Sequence, residues 1–386
     1  MFKSLILLAT SASVLSAESL TFEGTEGPGK GKHIVFLAND HEYRSEQSCP
    51  AVAKILAKHH GFKCTVLFGL NEKGEIKPGA GSVPGLEVLK EADLLFLFAR
   101  FMNLPDEQVD PLVAYFERGG PVIGLRTSTH AFHKQAGKWA KLNYNYEGKD
   151  YLGGLGEQVL GNTWHKKRGQ SHYGGNHREA SRIIPTSGVK HPVLTGVSQI
   201  HALSGAYASV LPDAATSLLE VQVLKGFTAD SEIREDLPLA TCAWARDSYV
   251  APSGEKKDSR VVYASYGASE DVLDANTRRF FVNSCFWAVG LESEIKPDLE
   301  VSIVGGFKPS PYSTGRLYNK GVKPADLAAW ESQVMPEGSP LAGLDGAPKT
   351  VSARVRGIVK NRPELKAELM EKYPELDFSA AKPKKK

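Results

Sequence analysis

The chain of 386 residues is 41% hydrophobic and 24% charged, with a formal net charge of +3. That balance fits a soluble globular protein of one large or two smaller domains. It excludes the concentrated basic face of a nucleic-acid binder, and part of the small excess comes from a Lys-rich tail.

The N-terminus carries a secretory pattern. Lys3 precedes an apolar run, Leu5 to Leu15, and a small-residue site ends at Ser16-Ala17. This predicts a signal peptide over residues 1–17, too short to span a bilayer. No other run is long enough for a membrane span. The expected protein is therefore exported, periplasmic or extracellular, with a mature start near Glu18.

Export makes disulfides available, so the four cysteines need placing. Cys49 falls at the start of the first predicted helix and Cys64 near the start of the second strand. A βαβ unit holds those points about 15 Å apart at 1.5 Å per helical residue. A bridge needs Cα atoms within about 7 Å. Cys242 and Cys285 lie in apolar segments and read as core. No disulfide is expected, and no CxxC spacing suggests a zinc knuckle.

Residues 18–31 are Gly-rich and polar and read as a linker. Residues 32–38 form a short β-branched apolar run, a buried strand, ending in the polar loop Asn39-Asp-His-Glu-Tyr-Arg-Ser45. A helix is predicted over 46–60, with Gly61 as its stop, and a second strand over 62–68. After a Gly/Pro-rich loop and a short helix comes the strand 93–98, which ends at Arg100. The next helix opens with Leu104-Pro-Asp-Glu, whose proline and acids suit a first turn, and closes at Gly119-Gly120. The fourth strand, 121–125, breaks into Arg126-Thr-Ser-Thr-His130.

The order βαβαβαβ implies parallel strands with helices on both faces. With strand order 2-1-3-4, ligands bind outside the carboxyl ends of the strands, between the first and third. Three polar clusters meet there: Asn39 to Arg44, Arg100, and Arg126 to His130.

From 139 to 178 periodicity fails, and Gly, Asn, Tyr, His and Lys dominate. A long irregular stretch of this kind reads as a functional lid or insertion. It carries His165, His172 and His177, and Tyr144, Tyr146 and Trp164 as rings for stacking. The histidine spacing lacks a helical metal pair. Strands resume near 181–185, 217–223, 237–245 and 260–266. Residues 274–289 form an amphipathic helix stopped by Gly290, and the globular unit is expected to end near Ser293. Residues 294–386 form a less regular extension, with short helices predicted at 324–333 and 363–373.

Several motifs in order resemble the trehalose-utilisation (ThuA-like) domain family over residues 32–292. They are Leu37-Ala-Asn-Asp-His-Glu42, Gly124-Leu-Arg-Thr-Ser-Thr-His130, His191-Pro192, Arg260-Val-Val-Tyr-Ala-Ser-Tyr-Gly267 and Arg278 to Gly290. The resemblance implies a flavodoxin-like fold of the class I glutamine amidotransferase type and a link to carbohydrate catabolism. Two departures bear on chemistry. The amidotransferase turn Gly-x-Cys-x-Gly, laid on Gly124 to Ser128, puts Arg126 at the nucleophile position, and arginine stays protonated and cannot attack. Glutaminase chemistry is excluded there unless Ser128 substitutes. Gly267-Ala268 also stands where many members have Gly-His.

The functional expectation is acid/base chemistry on a disaccharide or keto sugar, by isomerisation, elimination or hydrolysis. His130, His41, Asp40 and Glu42 are the candidate catalytic groups. Arg126, Arg100, Ser128, Thr127, Trp164 and His165 are the candidate substrate-binding groups. Two alternatives stand beside it. One is a non-catalytic carbohydrate-binding or scaffold protein without the amidotransferase nucleophile. The other is a hydrolase with a divalent metal, zinc or manganese, on Asp40, His41 and the lid histidines.

Overall fold

The structure is a computed structural model. It describes residues 18–165, 169–174, 179–226, 228–310, 312 and 318–333, with 359, 363 and 366–372. The signal pattern at 1–17, His177 and the Lys-rich tail lie outside the described residues.

A ten-stranded sheet runs through the molecule. Its parallel core comprises β2 (His33–Asn39), β3 (Lys63–Phe68), β4 (Leu94–Ala99) and β5 (Val122–Leu125). They lie in the order β3-β2-β4-β5, the predicted 2-1-3-4 arrangement. All residues of β2, β4 and β5 are buried, as expected when helices cover both faces of parallel strands. The long strand β12 (Lys256–Ala264) then pairs in parallel with β5. Beyond it the sheet turns antiparallel through β11 (Ala240–Val250), β10 (Thr216–Val223), β7 (Ser181–Pro185) and β8 (Ile200–Ala202).

Helices α1 (Ser45–His60) and α3 (Ala275–Ala288) cover one face, and α2 (Asp106–Glu117) covers the other. Helix α1 ends in a Schellman arrangement. Gly61 at φ 81° lets its own amide reach Ala57 O and the Phe62 amide reach Leu56 O. Asp274 caps α3 by accepting the Thr277 amide. The rings of Phe36, Phe96 and Phe281 stack through the α3 face at 4.8 and 6.0 Å. Each such buried ring contributes roughly 1.5–3 kcal/mol by leaving water. The four cysteines are buried and free, and no helix among the described residues is long and apolar enough to cross a membrane.

Three segments differ from the sequence reading. The stretch read as a linker contains β1 (Ser19–Glu23), which adds antiparallel to β3 and buries Leu20 and Phe22. Its period-2 pattern is only five residues long, too short to stand out among glycines. The insertion is packed rather than loose. Turns at Gly137–Leu142 and Gly156–Leu160 bury Tyr151, Leu155, Val159 and Leu160 against the α2 face. Gly124 allows this approach, because a Cβ there would lie 2.6 Å from a Leu160 methyl. The insertion then leads into a small ladder of β6 (Gln170–His172) with β9 (Tyr207–Ser209).

The fold also does not stop near Ser293. Residues 295–310 and 318–333 pack back against α1 and β1, and the Lys54 ammonium donates to the carbonyls of Ala329, Trp330 and Ser332 at 3.0, 3.1 and 2.7 Å. Trp330 packs on Phe22, and Leu327 is fully buried. These anchors are single residues spaced along a Pro/Gly-rich strap, and so leave no periodic signal. The helix predicted at 324–333 is a single turn, Pro324–Leu327, and that predicted at 363–373 is Lys366–Lys372.

Candidate functional site

The three predicted polar clusters meet at the carboxyl ends of β2, β4 and β5. Each sits on a strained turn. Arg44, Phe101 and Arg126 have φ of 63°, 52° and 45°, the left-handed region that residues with a Cβ occupy at a cost of roughly 1–3 kcal/mol when the surroundings enforce it.

The turn after β5 is built inward. Arg126 is 1% exposed. Its guanidinium donates to Ser204 O, Ser204 Oγ, Gly205 O and Ser265 O at 3.0, 3.1, 2.6 and 3.1 Å. Its Cζ lies 3.7 Å from the Tyr43 ring centre and 4.6 Å from that of Tyr207, within cation–π range. Burial opposes the charge, but Tyr43, Tyr207 and Asp271 more than offset it, and the group stays protonated. Asp271 also accepts the Ser204 hydroxyl and the amides of Gly267 and Ala268, which ties the Gly267-Ala268 turn to the same cluster.

Ser128 donates to Leu97 O and accepts the Ala99 amide. Thr127 donates to Asp40 Oδ2 at 2.6 Å. Asp40 in turn accepts the amides of Glu42 and Tyr43 on Oδ1, an Asx turn that shapes the loop after β2. All three side chains are fully buried.

The expectation that Arg126, Thr127 and Ser128 hold substrate and that Asp40 moves protons is therefore corrected. The two terminal nitrogens of Arg126, the hydroxyls of Thr127 and Ser128 and the Asp40 carboxylate are committed to backbone, to Ser204 and to one another, as buried donors and acceptors generally are. Ser128 does not replace the missing nucleophile, since its hydroxyl proton points at a main-chain carbonyl.

The groups left facing outward are different. Arg100 Nε lies 3.1 Å from Glu42 Oε2, and Arg100 NH1 lies 2.7 Å from His41 Nε2. A guanidinium has only donors, so His41 accepts through Nε2 and carries its proton on Nδ1. The Arg100 side chain is 19% exposed and that of Glu42 6%. Burial raises the Glu42 pKa, and Arg100 pulls it only partway back.

Beside this trio stands a wall of rings. Phe101 contacts His130, His133 and Tyr144 at 5.3, 5.1 and 5.6 Å. Trp164 contacts His130, His172 and Tyr207 at 5.1, 5.0 and 4.8 Å. His130 is 3% exposed, and burial, then Arg100, His172 and Arg126, hold it well below the usual histidine range and therefore neutral. His172 is pushed down to about 4, by burial first and then by Arg126 and Arg100.

Of the expected residues, the structure thus brings together His41, Glu42, Arg100, His130 and Trp164. His165 follows Trp164, and its carbonyl accepts the Gly169 amide in the turn before β6. Tyr146 points elsewhere, donating to Asp150 and packing on the α2-side core. Phe101, Tyr43 and Tyr207 were missed. Phe101 follows Arg100 directly, so its place after a strand was the one available signal. Tyr207 joins the site through the ladder with β6 and through its backbone bonds to Ser265.

The metal arrangement on Asp40, His41 and lid histidines does not fit. Asp40 faces amides and Thr127, His41 Nε2 faces a guanidinium, and among the described residues no three His, Cys, Asp or Glu side chains converge.

Comparison with solved structures finds similar chains. They include ThuA-like proteins from Bacteroides uniformis and Parabacteroides merdae. Both are 14% identical, with TM-scores of 0.42 and 0.40. The matches cover 72% and 74% of this chain and 99% and 96% of theirs. The Trypanosoma brucei CTPS glutaminase domain with bound acivicin is also similar, at 10% identity and a TM-score of 0.31, over 70% of this chain and 97% of that one. No protein-family model matches the chain, and no curated protein does.

Proposed function

We propose that the bowl formed by His41, Glu42, Arg100, Phe101, His130, Tyr144 and Trp164 binds a carbohydrate and moves protons on it. A keto sugar or a disaccharide derived from one suits the chemistry. The observation that carries this reading is the juxtaposition of an aromatic wall with a carboxylate–guanidinium–imidazole trio at the strand ends. Ring faces carry negative potential and attract the C–H face of a sugar, while Arg100 presents donors for its hydroxyl or carbonyl oxygens.

Glu42 is the proton carrier in this scheme. Its raised pKa makes it a stronger base than an ordinary carboxylate. It takes the proton from the carbon beside the sugar carbonyl, the C–H electron pair becomes the enediolate double bond, and the carbonyl pair moves onto oxygen. Arg100 stabilises that oxygen's charge. Passing the hydroxyl proton to the former carbonyl oxygen, and returning the abstracted proton to the former carbonyl carbon while the other carbon–oxygen bond becomes the carbonyl, gives isomerisation. Expelling a leaving group from the next carbon gives elimination. His130, held neutral, presents a ring wall and an uncharged donor.

A second reading, a carbohydrate-binding protein without turnover, is favoured by Arg126. It occupies the strained tip at φ 45° where a nucleophile would stand. One experiment separates the two. Purified protein is screened against disaccharides and their 3-keto forms, with and without zinc or manganese, and Glu42→Gln is run beside it. The expected result is turnover without added metal, reduced about a hundredfold or more in the variant with binding retained. Binding without wild-type turnover selects the second reading, and a failure to bind any sugar sinks both.

A further inference from the structure

The rings of the bowl do not end at the insertion. Arg126 lies between the Tyr43 and Tyr207 rings, Tyr207 touches Trp164 at 4.8 Å, and Trp164 touches His130. At the other end Tyr43 stacks on Tyr312 at 5.5 Å with ring planes 26° apart. Tyr312 belongs to the strap that was expected to lie outside the globular unit. It is 8% exposed.

The strap around it is bonded to the first turn of α1 and to Ser269, both beside the loop that carries Glu42. The Ser310 amide donates to Gln47 Oε1 at 2.8 Å, Gln47 Nε2 donates to Ser310 Oγ at 3.1 Å, and Ser269 Oγ donates to Ser310 O at 2.9 Å. The Ser269 amide reaches Tyr43 O at 3.1 Å. Lys54 clamps the far end of the strap with three carbonyl contacts.

We infer that the C-terminal strap is a working part of the proposed sugar site, with Tyr312 as a positioning residue. Through Tyr43 it holds the Arg126 guanidinium, and through Arg126 it sets Tyr207 and the Trp164 wall. The physical requirement is a flat face at position 312. Tyr43 sits at a strained loop, Arg44 following it at φ 63°, and a ring stacked on it limits its rotamers where an aliphatic chain of similar bulk does not. Stacked aromatic pairs add about 0.5–1.5 kcal/mol beyond their buried area.

The inference rests on the sugar reading for its functional consequence and not for its geometry. Its test therefore has two arms in the full chain. Tyr312→Phe keeps the flat ring, and Tyr312→Leu keeps apolar bulk without it. In the first arm, histidine NMR follows the His172 midpoint, which burial first, and then Arg126 and Arg100, push down to about 4. Tyr312→Leu is expected to move it upward as the guanidinium loosens, and Tyr312→Phe to leave it unchanged. In the second arm, trehalose and its 3-keto form are the probes. Tyr312→Leu is expected to weaken binding or raise KM about tenfold with kcat changed less, and Tyr312→Phe to match wild type.

Trp330→Ala, which loosens the strap at Phe22 away from the rings, is expected to lower Tm while leaving the His172 midpoint in place. An unchanged His172 midpoint in folded Tyr312→Leu overturns the inference, as does an equal shift in Trp330→Ala. If wild type binds neither probe, the sugar reading fails and the first arm still decides the role of Tyr312.

Discussion

The turn after β5 and the turn after β4 look alike in sequence and behave differently in space. Each follows a buried apolar strand, each presents an arginine, and each contains a residue at positive φ. Arg126 is fully buried and donates to four oxygens within the fold. Arg100 keeps a fifth of its side chain in solvent and faces one carboxylate and one imidazole. A buried cation held by carbonyls and rings organises the protein. A partly exposed cation facing titratable groups suits the ligand contact proposed for it. The difference comes from what covers each turn: β9 and the loop at Ser204-Gly205 close over Arg126, whereas nothing comparable among the described residues closes over Arg100.

Removing the buried member should show the largest effect. Arg126→Met orphans several buried carbonyls, each costing about 1–3 kcal/mol, so a loss of about 3 kcal/mol or more is expected in urea unfolding. If this variant keeps wild-type stability and loses only sugar binding, the contrast between the two turns collapses. Gly156→Ala comes next. Its Cβ would sit 1.9 Å from Thr129 O, so the insertion must shift, with a cost of about 1–3 kcal/mol from overpacking. Displacement of Trp164 should accompany it as a change in tryptophan fluorescence.

Arg100→Met should shift the balance from stability toward binding. It leaves the buried Glu42 without its cation, so a stability loss of about 1–3 kcal/mol is expected, while sugar affinity measured by calorimetry falls about tenfold or more with the charge-assisted bonds. Ser128→Ala should cost about 1 kcal/mol and leave turnover in place. Abolished turnover with an intact fold would restore Ser128 as a nucleophile.

Acidification acts through a different set of groups. His33, His60 and His172 are each held down to about 4 in the folded protein, mainly by burial. Between pH 6.5 and 4 the unfolded chain takes up protons there that the folded chain does not, so stability falls as pH drops through that window. Thermal melts from pH 7.5 to 4.5 should show a declining Tm. A flat profile would mean that these rings are solvated.

The parallel half of the fold was legible because its strands are continuous apolar runs punctuated by glycine and proline, and because α1, α2 and α3 carry ordinary start and stop signals. The meeting of the loops after β2, β4 and β5 followed from strand order alone. The roles inside that meeting were only half legible. Arg126 and Arg100 are the same residue type at the same kind of position, and the choice between them depends on Ser204, Gly205 and Ser265, which are 78, 79 and 139 residues away from Arg126.

The sequence by itself determined the α/β class, the 2-1-3-4 order of the central strands and the end of the sheet where the polar loops gather. Periodicity and turn chemistry are local and survive in a string of letters. The tertiary structure alone decided that Asp40, Thr127 and Ser128 bond within the fold, that Phe101, Trp164 and Tyr207 form one wall, and that the strap brings Tyr312 against Tyr43. Burial and pairing at long range set those outcomes, and a side chain's chemistry depends on whether its neighbours have already satisfied it.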